Sequence, residues 1–370
     1  MGVKIYYLVV AAVVVFGFLL PQEGKQRKIY IVLMAALHAF ICGWRYKYLT
    51  GDLMKYAWGY MYTIPQNGWF SDEVWSGGRN FGFFWLNKLV AAVSDNDFQA
   101  LLIVIAVITE AAVAYIIWRY AHRPWLSYLI WNCFGFYIFG FSAIKQALAM
   151  AVIMWAFTAI MDEKPLKFVL ITLLAGCIHV PALIFLPAYP IARSRLTVRR
   201  FGLYAAFAAL VYLFRNPIVT FVSSFYYEET DFAVNDRLGL RFLMIVALIA
   251  AGIMLRGFGG KRFSKLLNLM VVAAMLQMFS GFDNVFTRLT DYYFQFVILY
   301  LPMMLYTEED DAEGDNQAIR HIVLTPGQRT AAVACVAVLA FWYYYHTNLG
   351  AAIDYSVDNY LNYRFCWEVG

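Results

Sequence analysis

The chain has 370 residues, of which 62% are hydrophobic and 14% charged, with a net charge of +5. Soluble globular proteins run at roughly 45–50% apolar and about 25% charged. The composition therefore excludes a water-soluble enzyme, a disordered chain and a nucleic-acid binder, and the mean hydropathy of +0.61 points to a polytopic membrane protein.

In chain order, apolar segments fall at about 5–20, 29–43, 98–118, 125–141, 143–161, 166–191, 201–215, 239–256, 264–282, 285–305 and 329–346, read against the roughly 20 residues a helix needs to cross a bilayer. The first, Ile5 to Leu20, is followed by PQEGKQRK. That is no small-residue cleavage site, so the segment reads as a retained span. Basic residues between spans mark the cytoplasmic side. Lys25, Arg27 and Lys28 form one such group, Arg119 and Arg123 the next, then Lys164 and Lys167, then Arg193, Arg195, Arg199 and Arg200, then Arg256, Lys261, Arg262 and Lys265. Alternation holds everywhere except across 166–191, whose two ends would face the same side.

That segment is interrupted at His179-Val180-Pro181. Proline donates no backbone hydrogen bond and disfavours helix in the residue before it. The segment is therefore expected to be two short membrane helices meeting at His179, the alternative being one tilted span that breaks the charge rule at one basic cluster. Counted as two, it gives an all-α, single polytopic domain over 1–370 with about twelve membrane helices and both termini outside. A long extracytoplasmic loop is expected over about 44–97, and an acidic cytoplasmic loop over about 306–328. The five cysteines show no CxxC spacing, so neither a disulfide framework nor a metal site is expected. GFGGKR at 257–262 lacks Walker spacing and reads as a turn, so no cofactor is expected either.

Ionisable groups in membrane segments are costly and are functional candidates by default. Arg45 lies just past the second segment, where it equally suits a snorkelling interfacial arginine. Lys145 and Gln146 open the fifth segment on the outer side. His179 sits at the break, where imidazole suits either proton transfer near neutral pH or the capping of freed carbonyls. Arg288 and Asp291 lie three residues apart, on one helix face, where they would neutralise each other. Arg237 and Arg241 flank the eighth segment, and Glu110 lies inside the third with no role assigned. Arg45, Lys145, Arg237, Arg241 and Arg288 thus all project outward, against the positive-inside tendency. Such a cluster suits an anionic headgroup such as a pyrophosphate.

Five stretches carry a resemblance. GWRYKYLTGDLMKY, RNFGFFWLNKL, FSAIKQALAMAV, CIHVPALIFLP and TRLTDYYFQFVILYLP occur in that order between about residues 40 and 305. They resemble, in turn, the arginine–GxD–tyrosine, glycine–aromatic–leucine, Arg-Gln, histidine–x–small-residue and late arginine–tyrosine segments of the EpsG family, Wzy-type polymerases of bacterial surface polysaccharide. Two positions depart from the family pattern. Lys145 stands where arginine is usual, which keeps the charge but loses the planar fork. Pro181 stands where serine is common, which removes a hydroxyl partner for His179.

The resemblance implies a glycosyltransferase in the bacterial cytoplasmic membrane, its site facing outward. It would move an undecaprenyl-diphosphate-linked glycan onto the non-reducing end of another lipid-linked repeat unit. Its partners would be that oligosaccharide, membrane lipids and a chain-length regulator of the Wzz type, with no nucleic acid. Cations must stabilise the departing diphosphate, for which Arg45, Lys145, Arg241 and Arg288 are the candidates. His179 and, behind it, Asp52 are the candidate bases for the acceptor hydroxyl. Tyr56, Gln146 and Tyr292, in the same motifs, are the candidate glycan contacts. Two alternatives stay open: a lipid-linked oligosaccharide translocase, and a transferase using a polyprenyl-phosphate sugar with outer-loop acids such as Asp72 and Glu73.

Overall fold

A computed structural model describes residues 4–71, 80–194, 196–223, 239–258, 260–282, 284–306, 322–350 and 362–368. Arg237, Asp72 and Glu73 and most of the acidic loop lie outside them. Among the described residues every regular element is a helix, and the one β-bridge joins Arg45 to Phe365. The chain packs as two units, Met1–Leu183 with Ala332–Gly370, and Ile184–Ala331.

The first unit opens with α1 (Lys4–Leu19) and α2 (Gly24–Gly43). The expected outer loop proves to be largely helical. It holds α3 (Gly51–Trp58), which runs on through a π-helical turn (Gly59–Thr63) into Ile64–Gln66, and then α4 (Phe81–Ser94). Gly, Pro and a crowd of aromatics hide the helical period there. Next come α5 (Phe98–Tyr120), α6 (Pro124–Cys133), α7 (Ile144–Met161) and α8 (Pro165–Ile178). The segment read as continuous over 125–141 is broken at Gly135, whose φ of 85° is a left-handed conformation that glycine adopts without steric cost.

Among the described residues two helices, α5 and α7, are long and apolar enough to cross a membrane. Their 23 and 18 residues rise about 35 and about 27 Å, against a hydrocarbon core of roughly 30 Å. Helices α1 and α8 are apolar but, at 16 and 14 residues, rise only about 24 and about 21 Å. The expected dozen spans is thus matched by length and composition at two. The break at 179 is present. Helix α8 stops at Ile178, His179 is extended (φ −148°), and the chain resumes as a 3-10 helix over Val180–Phe185 rather than as a second α-helix of equal length.

Several buried polar groups of this unit find partners within it, as burial away from water favours. Asn132 Nδ2 lies 2.9 Å from His38 Nε2, Tyr137 donates to the His38 carbonyl at 3.0 Å, and Arg27 caps the end of α5 through the Trp118 and Ala121 carbonyls at 3.0 and 2.8 Å. The C-terminal residues close the unit: Tyr46 N donates to Arg364 O (2.8 Å), Cys366 N to Trp44 O (2.9 Å) and Tyr363 Oη to Ile41 O (2.9 Å).

The second unit contains α9 (Ala188–Arg193), α10 (Val198–Leu213), α11 (Arg215–Ser223), α12 (Leu240–Arg256), α13 (Lys261–Gln277), α14 (Asn284–Phe294) and α15 (Val297–Leu305). Asn268, buried in α13, donates to the carbonyls of Ile191 (3.0 Å) and Ser194 (2.9 Å), so one amide ties off the open end of α9. Tyr293 likewise donates to the Ile184 carbonyl at 2.7 Å. A last helix, α16 (Pro326–Tyr344), runs from this unit back into the first.

Candidate functional site

The first unit gathers six of the singled-out residues around two corners. One is the turn 140–142, between α6 and α7. Arg45 is 1% exposed. Its Nε donates to Phe141 O at 3.2 Å and its Nη2 to Gly140 O at 3.3 Å, while Nη1 donates to the Cys42 carbonyl. The guanidinium also lies 5.3 Å from the Phe141 ring centre. The expectation that Arg45 grips a diphosphate thus meets a side chain already spent on backbone carbonyls. Its fork holds the turn that leads into Lys145.

Asp52 meets the same turn from α3, its Oδ2 3.5 Å from the Ser142 hydroxyl, and it pairs with Lys55 at 3.9 Å. Thr50 caps α3 by accepting from Leu53 N at 3.3 Å, which fixes where Asp52 starts. Lys145 follows on the first turn of α7 and is half-buried. Among the described residues it has no hydrogen bond and no ion pair. Gln146 beside it is buried, its amide nitrogen 4.0 Å from Met150 Sδ. A buried glutamine is a poor first contact for a sugar.

The other corner is the break at His179. Residues of the stretch RNFGFFWLNKL build it, and the sequence alone gave no sign that they meet the break. Asn80 Oδ1 accepts from Val180 N at 3.3 Å, satisfying a donor that the start of the 3-10 helix leaves without an intrahelical partner. Gly82 lies against the Cys177 backbone. A Cβ there would stand 3.0 Å from the Cys177 carbonyl carbon and 3.1 Å from its oxygen. Only a residue without a side chain lets α4 approach α8 this closely. His179, half-buried, is held by its backbone: its N–H donates to Ala175 O (2.9 Å) and its carbonyl accepts from Ala182 N (2.8 Å). Tyr56 links the corners, its ring 5.9 Å from that of Phe83 on α4.

In the second unit, Arg241 at the start of α12 forms an ion pair with Asp291 of α14 and lies 5.0 Å from the Phe294 ring centre. Asp291 was expected to be neutralised by Arg288. Its bonded partner is Arg241, and Arg288, one turn earlier and exposed, adds a second positive charge within electrostatic range. The group carries one excess positive charge. Tyr292 is fully buried, so it supports the helix from behind instead of facing a solvent-borne glycan. Glu110 is buried in α5 with no ion-pair partner among the described residues. No cluster of metal-ligating side chains occurs among the described residues.

Neither a curated protein nor a solved structure matches the chain. A family model does, and its span takes in both corners and the Arg241–Asp291 group. It covers residues 28–365, and the chain belongs to the EpsG family.

Proposed function

We propose that the chain is a polysaccharide polymerase of the outer face of the cytoplasmic membrane, joining undecaprenyl-diphosphate-linked repeat units. The observation that carries this reading is Lys145, a half-buried cation at the start of a helix long and apolar enough to cross a membrane, with no ion pair among the described residues. An ammonium held out of water is costly unless an anion meets it. Family membership supports a polysaccharide polymerase, and the diphosphate of a lipid-linked glycan is an anion of the charge such a cation would meet. Both the donor and the acceptor of such a reaction carry one, and each unit of the chain offers a cationic group.

The chemistry then runs in one displacement. The acceptor hydroxyl oxygen attacks the anomeric carbon of the donor glycan. The bond from that carbon to the diphosphate oxygen breaks, and polyprenyl diphosphate leaves with the electron pair. The hydroxyl proton passes to His179, whose backbone position at the end of α8 is fixed on both sides. Lys145 neutralises charge that grows on the leaving diphosphate, an effect typically costing about 3–4 kcal/mol, or roughly 10²–10³ in rate, when the group is removed. Arg45 acts through the 140–142 turn as a positioning residue.

Surface glycan resolved on gels from cells carrying single variants tests the reading. Lys145→Gln should leave single repeat units and Lys145→Arg should restore ladders. Ladders of normal length from Lys145→Gln would remove the lysine from the reaction.

A further inference from the structure

Helix α3 turns one face toward the protein and the opposite face away from it. One side of this helix and its π-helical turn is buried through Leu53, Ala57, Tyr60 and Ile64. The other side exposes Met54, Trp58 and Tyr62, at 56%, 66% and 50%. These stand four residues apart, one stripe of a helix, and the rings of Trp58 and Tyr62 touch with centres 4.4 Å apart. Lys55 lies beside them with its side chain 84% exposed. A helix in an aqueous loop would carry its polar residues there.

Its depth is fixed by what it rests on. The Tyr60 ring packs on Phe98, centres 5.6 Å apart, and its hydroxyl lies 3.3 Å from Ser94 Oγ. Phe98 is the first residue of α5, the longest apolar helix. The chain enters α3 from the last residue of α2 through a corner that Gln99 pins, donating to Gly43 O at 2.6 Å and Arg45 O at 3.1 Å. Helix α3 is therefore held at the rim of the membrane-crossing helix, where hydrocarbon gives way to headgroups. Tryptophan and tyrosine favour that level, an apolar stripe with a flanking lysine is what an interfacial helix presents to phospholipid, and Lys55 can meet lipid phosphate.

We propose that α3 and its π-helical turn form a membrane-surface helix, with Met54, Trp58 and Tyr62 seated in the headgroup–acyl boundary of the leaflet at this rim. The occupant is phospholipid. The inference rests on the position of α5 and not on the polymerase reaction.

Nitroxide labels test it in the full-length protein, reconstituted into nanodiscs of phosphatidylethanolamine and phosphatidylglycerol. Exposed Cys335 and half-exposed Cys177 and Cys366 are first replaced by serine. Labels are placed one at a time through Met54→Cys, Trp58→Cys and Tyr62→Cys. Leu8→Cys on the apolar α1 serves as the lipid reference and Glu23→Cys as the water reference. Collision with oxygen should exceed collision with a water-soluble nickel chelate at all three sites, as at position 8 and opposite to position 23. Labels that meet the nickel chelate as freely as position 23 would overturn the proposal and leave Trp58 and Tyr62 as a stacking platform for sugar. Spin–spin broadening at 58 and 62 that vanishes on dilution with unlabelled protein would overturn it too, and name a second copy as the occupant.

Discussion

Replacing Arg45 by lysine separates a structural role from a chemical one, because both residues carry the same charge. The guanidinium reaches three carbonyl oxygens, those of Cys42, Gly140 and Phe141. An ammonium is a point donor without the fork, so placed on one of these oxygens it abandons the other two. Hydrogen bonds from charged donors contribute about 1.5–3 kcal/mol each. Two lost bonds in a fully buried site therefore remove about 3–6 kcal/mol before the surroundings relax. That is a large share of the roughly 5–15 kcal/mol by which folded proteins are stable. Thermal unfolding of the purified protein in detergent, followed by intrinsic fluorescence at one fixed scan rate, should show Arg45→Lys melting far below the parent. Polymerisation at a temperature where the variant is still folded should remain measurable. A variant that melts with the parent and makes no polymer would refute the reasoning, since Arg45 would then be acting on substrate.

His179→Gln should accumulate and fold like the parent yet extend no chains, because glutamine can hydrogen-bond but is a very poor base near neutral pH; purified His179→Gln enzyme with near-parental polymerisation would end the base assignment. Gly82→Ala should lower the melting temperature, since overpacking against the Cys177 backbone costs about 1–3 kcal/mol and outweighs helix propensity worth about 1 kcal/mol. Gly202→Ala on α10, with nothing within 4 Å of the added carbon, should not; equal melting of the two would show that α4 does not press on α8. Reversing the second unit's ion pair, Arg241→Asp with Asp291→Arg, should recover the melting temperature lost in either single change but not polymerisation; recovery of both would make the pair purely structural.

What the sequence showed and what it hid follow from the range of the forces involved. The break at His179 is visible because proline acts on its immediate neighbours. The break at Gly135 is not, because glycine permits a left-handed turn without requiring one. Helices α3 and α4 were hidden within a loop rich in Trp, Tyr, Gly and Pro, and α3 exposes its aromatic side, which blurs the usual pattern of apolar-in and polar-out. The role of Arg45 has no sequence signature at all. Two of its three carbonyl partners lie some 95 positions away, and any residue type supplies a carbonyl. Asn80 and Gly82 lie in the quoted stretch RNFGFFWLNKL, but their contacts were hidden for the same reason: their partners are the backbone of Val180 and of Cys177. Lys145 stood out as a candidate because a charge at the start of an apolar run is conspicuous in the sequence, whereas its lack of an ion pair among the described residues needed the structure.

The bridge between Arg45 and Phe365 sets a timetable for biosynthesis. Its two strands of backbone are among the first and the last parts of the chain to leave the ribosome. Everything from Ile184 to Ala331 is made after the bulk of the first unit and before its closing segment. At about 5–20 residues per second, the newly inserted helices wait roughly 10–40 s between the synthesis of Leu183 and the arrival of Tyr363. Throughout that interval the carbonyl of Trp44 and the N–H of Tyr46 are without the partners they finally take from Cys366 and Arg364. A nascent chain stalled in that interval would offer an unzipped edge to a membrane chaperone or a quality-control protease, and reporter fusions ending before residue 362 should be degraded faster than fusions ending beyond residue 368.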